Sequence, residues 1–362
     1  MKIIFITTKA LTFNTFLESQ AKYLIKKNFQ IEVVCADTQN INFKNLPTHS
    51  IEFPLKFKNF FNIFRYIKII LQIRKLIKKN NKEIFYLHTP LASHIFRLFT
   101  FFNKLKIIYF VHGFRFTSKT NFIKSLFFKN IEYLLSYNTN VFLTINNEDY
   151  NYAKNMLSKK ALYYKLNGVG LNLPLRYLKK KIKKKIYIKK ILVIAAYKFE
   201  KGYLDILQVA DKLKDKGIKI QCYGYGNYSS YNLIKIKKKI NNIKFNKFDL
   251  NLKKNIQHYD ILLHLSKREG LPVAVMESLS NGLPVLCYDI RGNNDLIKNG
   301  INGYFSDTVD DVVKKILYLN LNIDLFNKMR IAAFRSINAK YRVKEINYNL
   351  YKIIKKFLKF EK

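Results

Sequence analysis

The chain has 362 residues, of which 66 are Lys or Arg and 24 are Asp or Glu, so its formal net charge is +42. Apolar residues make up 49% of the chain and aromatic residues 15%, which is enough to build cores and excludes a disordered basic tail. Three widely separated cysteines (Cys35, Cys222 and Cys287) exclude a disulfide scaffold and a zinc finger and indicate a reducing, cytoplasmic setting. At about 150 residues per domain, the length indicates two domains.

The basic residues indicate a partner that carries phosphate. A net charge of +42 attracts the phosphates of lipid headgroups or of nucleic acids. Sequence-specific contacts to nucleic acid favour the Arg fork, yet only ten of the 66 basic residues are Arg, and we find no nucleic-acid-binding motif. The composition therefore favours an anionic membrane surface over a nucleic acid.

No transmembrane helix is predicted, because a span needs about 20 apolar residues with few charges. The longest stretch without a charged residue, Tyr133 to Asn147, is too short and contains Ser, Asn and Thr. The amino-terminal MKIIFITT lacks a small-residue cleavage site, so it predicts a first strand rather than a signal peptide.

Short apolar strands alternate with amphipathic helices through the first half of the chain. A helix is predicted over residues 13–27, and helical segments separate the later strands. The predicted strands cover residues 3–6, 31–36, 84–87, 107–111 and 141–145. Near-continuous apolar strands joined by helices indicate a parallel sheet covered on both faces.

The helix predicted over residues 60–79 places aromatic residues and Ile against Lys and Arg. One interpretation is an ordinary surface helix that packs one face on a sheet. The other is an interfacial helix that docks on anionic lipid. The sequence leaves both open.

The same alternation returns after a segment dense in Lys, RYLKKKIKKKIYIKK, at residues 176–190. The predicted strands of the second half cover residues 191–195, 218–223, 243–245, 261–265 and 285–288. The pattern predicts an amino domain over residues 1–175, a basic linker over 176–190 and a second domain over 191–340. Residues 341–362 are predicted to form a basic amphipathic helix that packs back on the amino domain.

Ligands of doubly wound sheets bind beyond the carboxyl ends of the strands, and the segment that follows residues 261–265 carries the most unusual chemistry. Pro272 and Gly282 bracket a helix over residues 272–281. The amino end of this helix lies next to Gly270, and its free N–H groups and dipole suit a phosphate.

Two acidic residues lie before and within that helix. Glu269 precedes the helix and Glu277 lies within it, and carboxylates accept hydrogen bonds from sugar or ribose hydroxyls. The plainer interpretation is a capped helix with two surface acids. We favour the ligand site, because that alternative requires a separate explanation for each acid, glycine and proline.

Two further strand ends carry candidate residues. Lys201, before Gly202, can pair with a diphosphate as a point charge, although a single Lys is weak evidence in so basic a chain. His112, before Gly113, follows the strand at 107–111 and can bind a hydroxyl or phosphate oxygen or transfer a proton. The alternative for His112 is that its imidazole forms hydrogen bonds to backbone groups and has no functional role.

Several other chemistries are excluded by missing motifs. The chain has no GxxxxGK[ST] and no G-x-S-x-G, so neither a P-loop hydrolase nor a serine hydrolase is predicted. Gly224 and Gly226 follow a strand but lack the third glycine of a dinucleotide fingerprint. Without a D-x-D pair or clustered His and Cys, no metal is implied.

These motifs resemble those of the family 4 glycosyltransferases, which have the α/β GT-B fold. The string SKREGLPVAVMESLSNGLPV resembles the family's E-x7-E signature, from Glu269 to Glu277. Similar segments are VHGFRF from Val111, TINNEDYNYAK from Thr144 and NGVGLNL from Asn167, as in bacterial capsule, exopolysaccharide and O-antigen members. The resemblance implies two Rossmann-like doubly wound domains that face a central cleft.

The resemblance also implies roles for individual residues. Glu269 would hold donor-sugar hydroxyls, Glu277 the ribose, Lys201 the diphosphate and His112 the donor sugar, with Glu269, Lys201 and His112 forming the catalytic set. Further donor contacts are assigned to Gly270, Leu271, Arg268, Gly113 and Gly226.

The chain departs from the family pattern at two places. Ala196 stands where the family often has an Arg on the diphosphate, for which Arg268 or Arg291 are candidate replacements. Thr7, Thr8 and Lys9 stand where a Gly-rich loop usually follows the first strand. These differences concern the diphosphate contacts and the acceptor loop rather than the fold.

Taken with the charge, the resemblance implies a retaining glycosyltransferase at the cytoplasmic face of the membrane. It would move a hexose or N-acetylhexosamine from a nucleotide sugar to a polyprenyl-diphosphate-linked saccharide. The nucleotide is expected to be UDP, and no bound metal or other cofactor is expected. A nucleotide-sugar epimerase or a phosphorylase of the same architecture is the alternative enzyme. A basic nucleic-acid-binding protein is the alternative from another class.

Overall fold

The computed structural model of the protein describes residues 1–53, 63–173, 187–226, 240–249, 251–337 and 339–360. These residues form two compact units, an amino unit (Met1–Gly170 with Val343–Lys362) and a carboxyl unit (Leu171–Arg342). Most of the predicted linker, at 176–186, lies outside the described residues, as do positions 60–62 and 361–362 of the predicted helices.

The amino unit contains a parallel sheet of seven strands in the order β3-β2-β1-β4-β5-β6-β7. Its strands are β1 (Lys2–Ile6), β2 (Gln30–Cys35), β3 (Thr48–Ser50), β4 (Ile84–Leu87), β5 (Lys106–Val111), β6 (Val141–Thr144) and β7 (Leu162–Lys165). The strand order reverses between β1 and β4, so the switch point of this sheet lies there.

Helices connect these strands. They are α1 (Ala10–Thr12), a π-helical turn (Phe13–Leu17), α2 (Glu18–Ile25), α3 (Ile63–Asn80), α4 (Pro90–Phe99), α5 (Phe122–Ser136) and α6 (Asn147–Met156). The segment predicted as one helix over 13–27 therefore contains a π-helical turn, a feature that is frequent at functional sites.

The carboxyl unit contains a parallel sheet of six strands in the order β10-β9-β8-β11-β12-β13. Its strands are β8 (Lys190–Ile194), β9 (Lys219–Gly224), β10 (Ile243–Lys247), β11 (Ile261–His264), β12 (Val285–Tyr288) and β13 (Gly303–Ser306). Its helices are α7 (Tyr203–Lys212), α8 (Leu252–Asn255), α9 (Val273–Leu279), α10 (Asn293–Leu296), α11 (Val309–Leu321) and α12 (Ile323–Ser336). The switch point lies between β8 and β11.

The central strands form the cores because their apolar runs are covered on both faces. Ile3–Ile6 in β1 and Ile107–Val111 in β5 are fully buried, as are Ile261–Leu263 in β11. Continuous burial without alternation is the property expected of a parallel α/β sheet. The α/β prediction is confirmed for both units.

Three strands were not predicted from the sequence. β3 is short and fully exposed, β7 is only partly buried, and β13 begins at Gly303. Each lies at or near an edge of its sheet, where one neighbour or one covering face is missing. An edge strand does not need the continuous apolar run by which the central strands were recognised.

A last helix, α13 (Val343–Phe360), belongs to the amino unit although the carboxyl unit precedes it. Its buried stripe is Ile346, Leu350, Ile354 and Phe357. The stripe has the spacing expected of a helix with one apolar face. The buried Asn347 donates from Nδ2 to the carbonyl of Ser19 at 3.0 Å, and Tyr351 contacts the ring of Tyr23. These contacts attach α13 to the α1–α2 segment.

No helix in the described parts of the chain combines the length and the apolar character that a bilayer span requires.

Candidate active site

The carboxyl edge of the second sheet brings the predicted Lys and Glu together. Lys201 lies in the loop between β8 and α7, and Glu269 lies in the loop between β11 and α9. Because β8 and β11 are neighbours at the switch point, their following loops meet. Lys201 Nζ donates to Glu269 Oε1 at 2.6 Å, and both side chains are mostly buried.

A third group completes this cluster. His264, the last residue of β11, is buried, and its Nε2 lies 3.4 Å from the same Oε1, an ion-pair separation rather than a well-aligned hydrogen bond. Burial opposes ionisation of Glu269, but the neighbouring His264 and Lys201 outweigh it and lower the pKa of this carboxyl to about 2. Glu269 is therefore ionised at neutral pH, and its Oε2 remains for another hydrogen-bond donor.

The Lys201 loop is held against β11 by a glycine. Gly202 has φ +73° and caps α7, and a Cβ at this position would lie 2.0 Å from the carbonyl oxygen of Leu265. The backbone N–H of Lys267 donates to the carbonyl of Glu200 at 2.8 Å across the same two loops. The close approach of these backbones is what sets the separation between Lys201 and Glu269.

The other side of the Glu269 loop is held by the segment after β12. The buried Arg291 donates from Nε to the carbonyl of Glu269 at 2.9 Å. A Cβ on Gly292, which has φ +83°, would lie 2.2 Å from the carbonyl oxygen of Gly270. Arg291 therefore fixes the backbone that carries Glu269.

We expect Gly202→Ala to disturb this site much more than Gly217→Ala. Both glycines have positive φ, but Gly217 has nothing within 4 Å of an added Cβ, so its substitution carries only the backbone cost of about 1–2 kcal/mol. Gly202→Ala must also move the loop away from β11, for a total on the order of 3 kcal/mol or more. Thermal unfolding and nucleotide-sugar binding of both variants test this. Equal losses would contradict the proposed backbone approach.

The helix that carries Glu277 is α9, which is shorter than the predicted span of 272–281. Its first turn has Pro272 as the N-cap without a side-chain acceptor. It ends in a left-handed turn at Gly282, with Gly282 N–H bonded to the carbonyl of Leu279 and Leu283 N–H to that of Ser278. Residues 280–281 are thus part of the turn and not of the helix.

The ion-pair partner of Glu277 differs from that of Glu269. Its Oε1 is 2.8 Å from Nζ of Lys253, which is largely exposed, and Glu277 itself is mostly buried. An exposed Lys is easily displaced, because surface ion pairs contribute little. A hydroxyl-bearing ligand can therefore compete for this carboxylate.

The remaining predicted residues of the carboxyl unit lie in loops at the same edge of the sheet. Gly270 and the buried Leu271 follow Glu269 directly, and Arg268, which precedes it, is exposed. Gly226 follows β9 with φ +101°, next to Tyr197. All of these residues are therefore at the carboxyl edge of the sheet.

His112 and Gly113 follow β5 in the amino unit. Nε2 of His112 lies 3.2 Å from Nδ1 of His88, the residue after β4. Burial lowers the pKa of His112 to about 4. Burial, followed by repulsion from a protonated His112, lowers the pKa of His88 well below its usual range. Both imidazoles are neutral at pH 7, so His112 acts as a hydrogen-bonding group and not as a fixed cation.

The neighbouring strand ends supply more polar groups at this edge. Thr89 has φ +62°, which is unusual for a β-branched residue, and its hydroxyl lies 2.7 Å from that of Thr8 after β1. Phe16, on the π-helical turn, approaches the ring of His112 at 6.3 Å between centroids. Strained backbone and a π-helical turn at one strand edge are both frequent at functional sites.

Sequence reasoning undervalued three residues. No role was predicted for His264 or His88, although His264 ends an apolar strand and His88 follows one. Arg291 was considered as a diphosphate ligand, but its side chain is buried and Nε is engaged by Glu269. The His88–His112 and Arg291–Glu269 contacts join residues that are 24 and 22 positions apart, so they depend on which strands are neighbours.

Among the described residues, no group of three His, Cys, Asp or Glu side chains could hold a metal ion.

Comparison with known proteins finds two glycosyltransferase family models that match this chain. The family model described as "Glycosyl transferase 4-like" matches residues 2–146, and "Glycosyl transferases group 1" matches residues 178–335. The second match includes Lys201, Glu269 and Glu277, and the first includes His112.

Two curated relatives are similar over long stretches. The putative glycosyltransferase EpsD of Bacillus subtilis is 26% identical over 249 residues, which are 64% of this chain and 65% of that protein. An Escherichia coli UDP-Gal:alpha-D-GlcNAc-diphosphoundecaprenol alpha-1,3-galactosyltransferase is 22% identical over 316 residues, 79% of this chain and 78% of that protein. The match thus spans just under two thirds of the EpsD length.

Solved structures share the fold over nearly the whole chain. A glycosyltransferase from Rickettsia africae superposes with a TM-score of 0.75 at 17% identity, covering 99% of this chain and 98% of that one. Anabaena HepE, in complex with UDP and glucose, has a TM-score of 0.75 at 12% identity, covering 98% of this chain and all of that one.

The two Rossmann-like sheets and these superpositions define a two-domain protein of the GT-B fold. The chain belongs to the GT-B glycosyltransferases and resembles those of capsule and exopolysaccharide synthesis.

Proposed function

We propose that the protein is a retaining glycosyltransferase of family 4 that uses a nucleotide sugar, UDP-linked, to extend a polyprenyl-diphosphate-linked saccharide. The sugar is a hexose or N-acetylhexosamine, and the product is a cell-surface polysaccharide of the capsule, exopolysaccharide or O-antigen type. The protein works as a peripheral protein at the cytoplasmic face of the membrane. The observation that carries this proposal is the buried cluster of Lys201, Glu269 and His264 at the carboxyl edge of the second sheet.

The cluster suits a donor that carries a diphosphate and a sugar. The ammonium of Lys201 has three N–H groups, of which one is directed to Glu269, so two remain for phosphate oxygens. Lys201 and His264 both approach Oε1 of Glu269, which leaves Oε2 to accept from a sugar hydroxyl. One ion pair thereby fixes the positions of a cation for the diphosphate and an anion for the sugar.

The chemical contribution of this arrangement is stabilisation of the leaving group. A nucleoside diphosphate gains negative charge as the glycosidic bond to the sugar breaks, and a fixed cation in a mostly buried position lowers the energy of that state. The backbone N–H groups around Gly270 and Leu271 are assigned to the same phosphates. No bound metal is needed for this step, and the proposal includes none.

The other residues are assigned to binding. Glu277, whose own partner is the exposed Lys253, accepts from the ribose hydroxyls. His112, held by His88 and neutral at pH 7, forms a hydrogen bond to the donor sugar, next to Gly113. Arg268 and Gly226 contribute to the donor surface, and Arg268 replaces the family Arg that is absent at Ala196.

The acceptor and the setting are supported by the relatives and by the charge. The Escherichia coli relative is named for a diphosphoundecaprenol-linked acceptor and a UDP-sugar donor, and HepE was solved with UDP and glucose. A lipid-linked acceptor lies in a membrane with anionic headgroups, and the net charge of +42 is attracted to such a surface.

A screen of UDP- and GDP-sugars by thermal shift tests the donor assignment. We expect a UDP-sugar to raise the melting temperature, and Glu277→Ala to abolish most of that shift because the ribose contact is lost. Asp215→Ala is the matched control, since Asp215 is exposed and precedes β9, at the opposite edge of the sheet. An unchanged shift in Glu277→Ala contradicts the ribose assignment.

Transfer is then measured with the donor that binds and with lipid-linked saccharides. Release of the nucleoside diphosphate only in the presence of acceptor supports the proposed reaction. Donor consumption without acceptor indicates an epimerase, and a requirement for free phosphate indicates a phosphorylase. Either result rejects the transferase.

A further inference from the structure

Helix α5 exposes many large apolar side chains, whereas an ordinary surface helix presents a polar face to solvent. Its buried face is mixed, with Phe128 and Leu135 beside Ser125, Glu132 and Ser136. Its exposed residues include Phe122 and Ile123, each 77% exposed, and Phe127, which is 57% exposed. Large apolar side chains in contact with water are unfavourable. A continuous exposed apolar surface therefore indicates that another apolar surface or medium covers it.

The exposed apolar side chains form one continuous arc. At about 100° per residue, the arc covers roughly 140° of the helix circumference. Its members are Phe122, Ile123, Leu126, Phe127, Tyr133, Leu134 and Tyr137, where Tyr137 is the residue just after the helix. Asn130 is the other residue within the arc. We call this arc the α5 face. The helix is capped at its start, where the Asn121 side chain accepts from the N–H groups of Ile123 and Lys124.

Lysines border the α5 face on both sides. Lys124 and Lys129 are exposed. At about 100° per residue, Lys129 lies roughly 20° and Lys124 roughly 60° outside the margins of the arc. The acid of this helix, Glu132, is buried and paired with His94 and Arg97. The charged residues that α5 itself exposes are therefore all lysines.

A basic groove continues the surface at the carboxyl end of α5. Tyr137 lines a cavity of about 720 Å³ together with Phe102, which is 96% exposed. Four lysines also line it: Lys82, Lys104, Lys106 and Lys160. In the described part of the chain none of these four forms a salt bridge. An apolar face with basic margins and a lysine-lined groove complements acyl chains under anionic headgroups.

We propose that the α5 face, with Phe102 and this groove, is the surface by which the protein docks on an anionic lipid bilayer. A second copy of the chain fits less well, because a symmetric contact through this face would bring the lysines of both copies together. Tyr133 and Tyr137 fit the headgroup region of a bilayer, because the ring of a Tyr contacts apolar groups while its hydroxyl stays hydrated.

The position of α5 connects docking with the candidate site of the amino unit. The loop that begins with His112 ends at Asn121, the N-cap of α5. Docking through α5 therefore places the His112 edge near the bilayer, and in this respect the inference rests on the lipid-linked acceptor of the proposed function. The helix at residues 63–80, α3, is the competing surface, with Phe64, Ile67 and Leu71 exposed.

The test uses the full chain and vesicles of phosphatidylcholine, alone or with an equal amount of phosphatidylglycerol, without donor or acceptor. We expect co-sedimentation with the anionic vesicles that weakens as salt rises. A variant carrying Phe122→Ser, Ile123→Ser and Phe127→Ser should bind them about tenfold less tightly or worse, because the buried apolar area is lost. Matched controls are Phe64→Ser with Leu71→Ser on α3, and Leu321→Ser in the carboxyl unit.

A fluorescence readout tests contact directly, because the chain has no tryptophan. Phe127→Trp should show a blue shift and quenching by brominated lipid on the anionic vesicles, whereas Leu321→Trp should show neither. Quenching at Phe64→Trp but not at Phe127→Trp overturns the proposal in favour of α3. Unchanged vesicle binding by the triple serine variant also overturns the proposal. So does a parent protein that binds no vesicles but forms a dimer in solution, if the triple serine variant is monomeric.

Donor binding separates this failure from failure of the proposed function. If the thermal shift with a UDP-sugar persists while vesicle binding is absent, the docking surface is wrong and the donor site stands. If vesicle binding depends on the α5 face while no nucleotide sugar binds, the docking surface stands and the transferase assignment is wrong.

Discussion

Replacing Lys201 by Ala is expected to lower kcat for glycosyl transfer on the order of 10²–10³-fold, the cost of one electrostatic donor in a well-studied enzyme. The ammonium lies 2.6 Å from Glu269, in a mostly buried position where its charge is little screened. Since the diphosphate gains charge as it leaves, the effect should fall mainly on kcat, with a smaller change in KM. Release of nucleoside diphosphate under saturating donor measures it.

Glu269→Gln provides the second half of this experiment. The amide keeps the shape but loses the charge that orients Lys201, so kcat should fall, and the double variant should lose less than the product of the two single effects. Residues that work as one ion pair are non-additive in this way. Additive effects would indicate that the two side chains act separately.

Lys198→Ala is the matched control for the charge. Lys198 is exposed and precedes Lys201 by three positions in the same loop. Its loss changes the net charge of the loop equally but removes no contact to Glu269. If Lys198→Ala and Lys201→Ala reduce kcat to the same extent, the assignment of Lys201 to the diphosphate is wrong.

The second large effect concerns stability, at a buried ion network between α4 and α5. Glu132 accepts from His94 Nε2 at 2.7 Å and from Arg97 Nη2 at 2.8 Å, and the guanidinium of Arg97 lies over the Tyr109 ring at 4.3 Å from its centroid. Arg97 and Glu132 are almost fully buried. Removing one partner leaves an uncompensated buried charge, so Glu132→Leu should cost about 3–5 kcal/mol of unfolding free energy.

At roughly 2–4 °C per kcal/mol for a domain of 150–250 residues, this cost lowers the melting temperature of the amino unit on the order of 10 °C. Calorimetry should show the loss in one unit, because the network does not involve the carboxyl unit. The double variant Glu132→Leu with Arg97→Met removes both charges and should recover part of the loss. A double variant that is less stable than either single one would contradict this account.

The same network gives a pH dependence with a definite sign. Burial opposes ionisation of Glu132, but Arg97 and His94 outweigh it and lower its pKa from 4.5 to about 2. A lowered folded-state pKa stabilises the fold above pH 4.5, and the contribution is lost as the pH falls through 2. The parent should therefore lose more stability than Glu132→Gln on acidification over this window.

Much of the architecture follows from local sequence pattern. The central strands were predicted within one or two residues, because a parallel strand buried on both faces must be a short, continuous apolar run, and β4 and β12 match the prediction at both ends. Gly282 marked the end of α9, since a left-handed turn favours Gly. The E-x7-E spacing and the strand-end location of Lys201 and His112 were also present in the sequence. They were sufficient to choose the GT-B class.

The tertiary structure decided which of these residues share one site. The sequence gives no distance between Lys201 and Glu269, which are 68 positions apart, or between His88 and His112. Those contacts depend on which strands are neighbours, on Gly202 allowing two backbones to approach, and on Arg291 holding the Glu269 loop. Which face of α5 is exposed was likewise decided by packing. The Glu132 network lies on the buried side together with Phe128 and Leu135, and composition alone cannot show which side is buried.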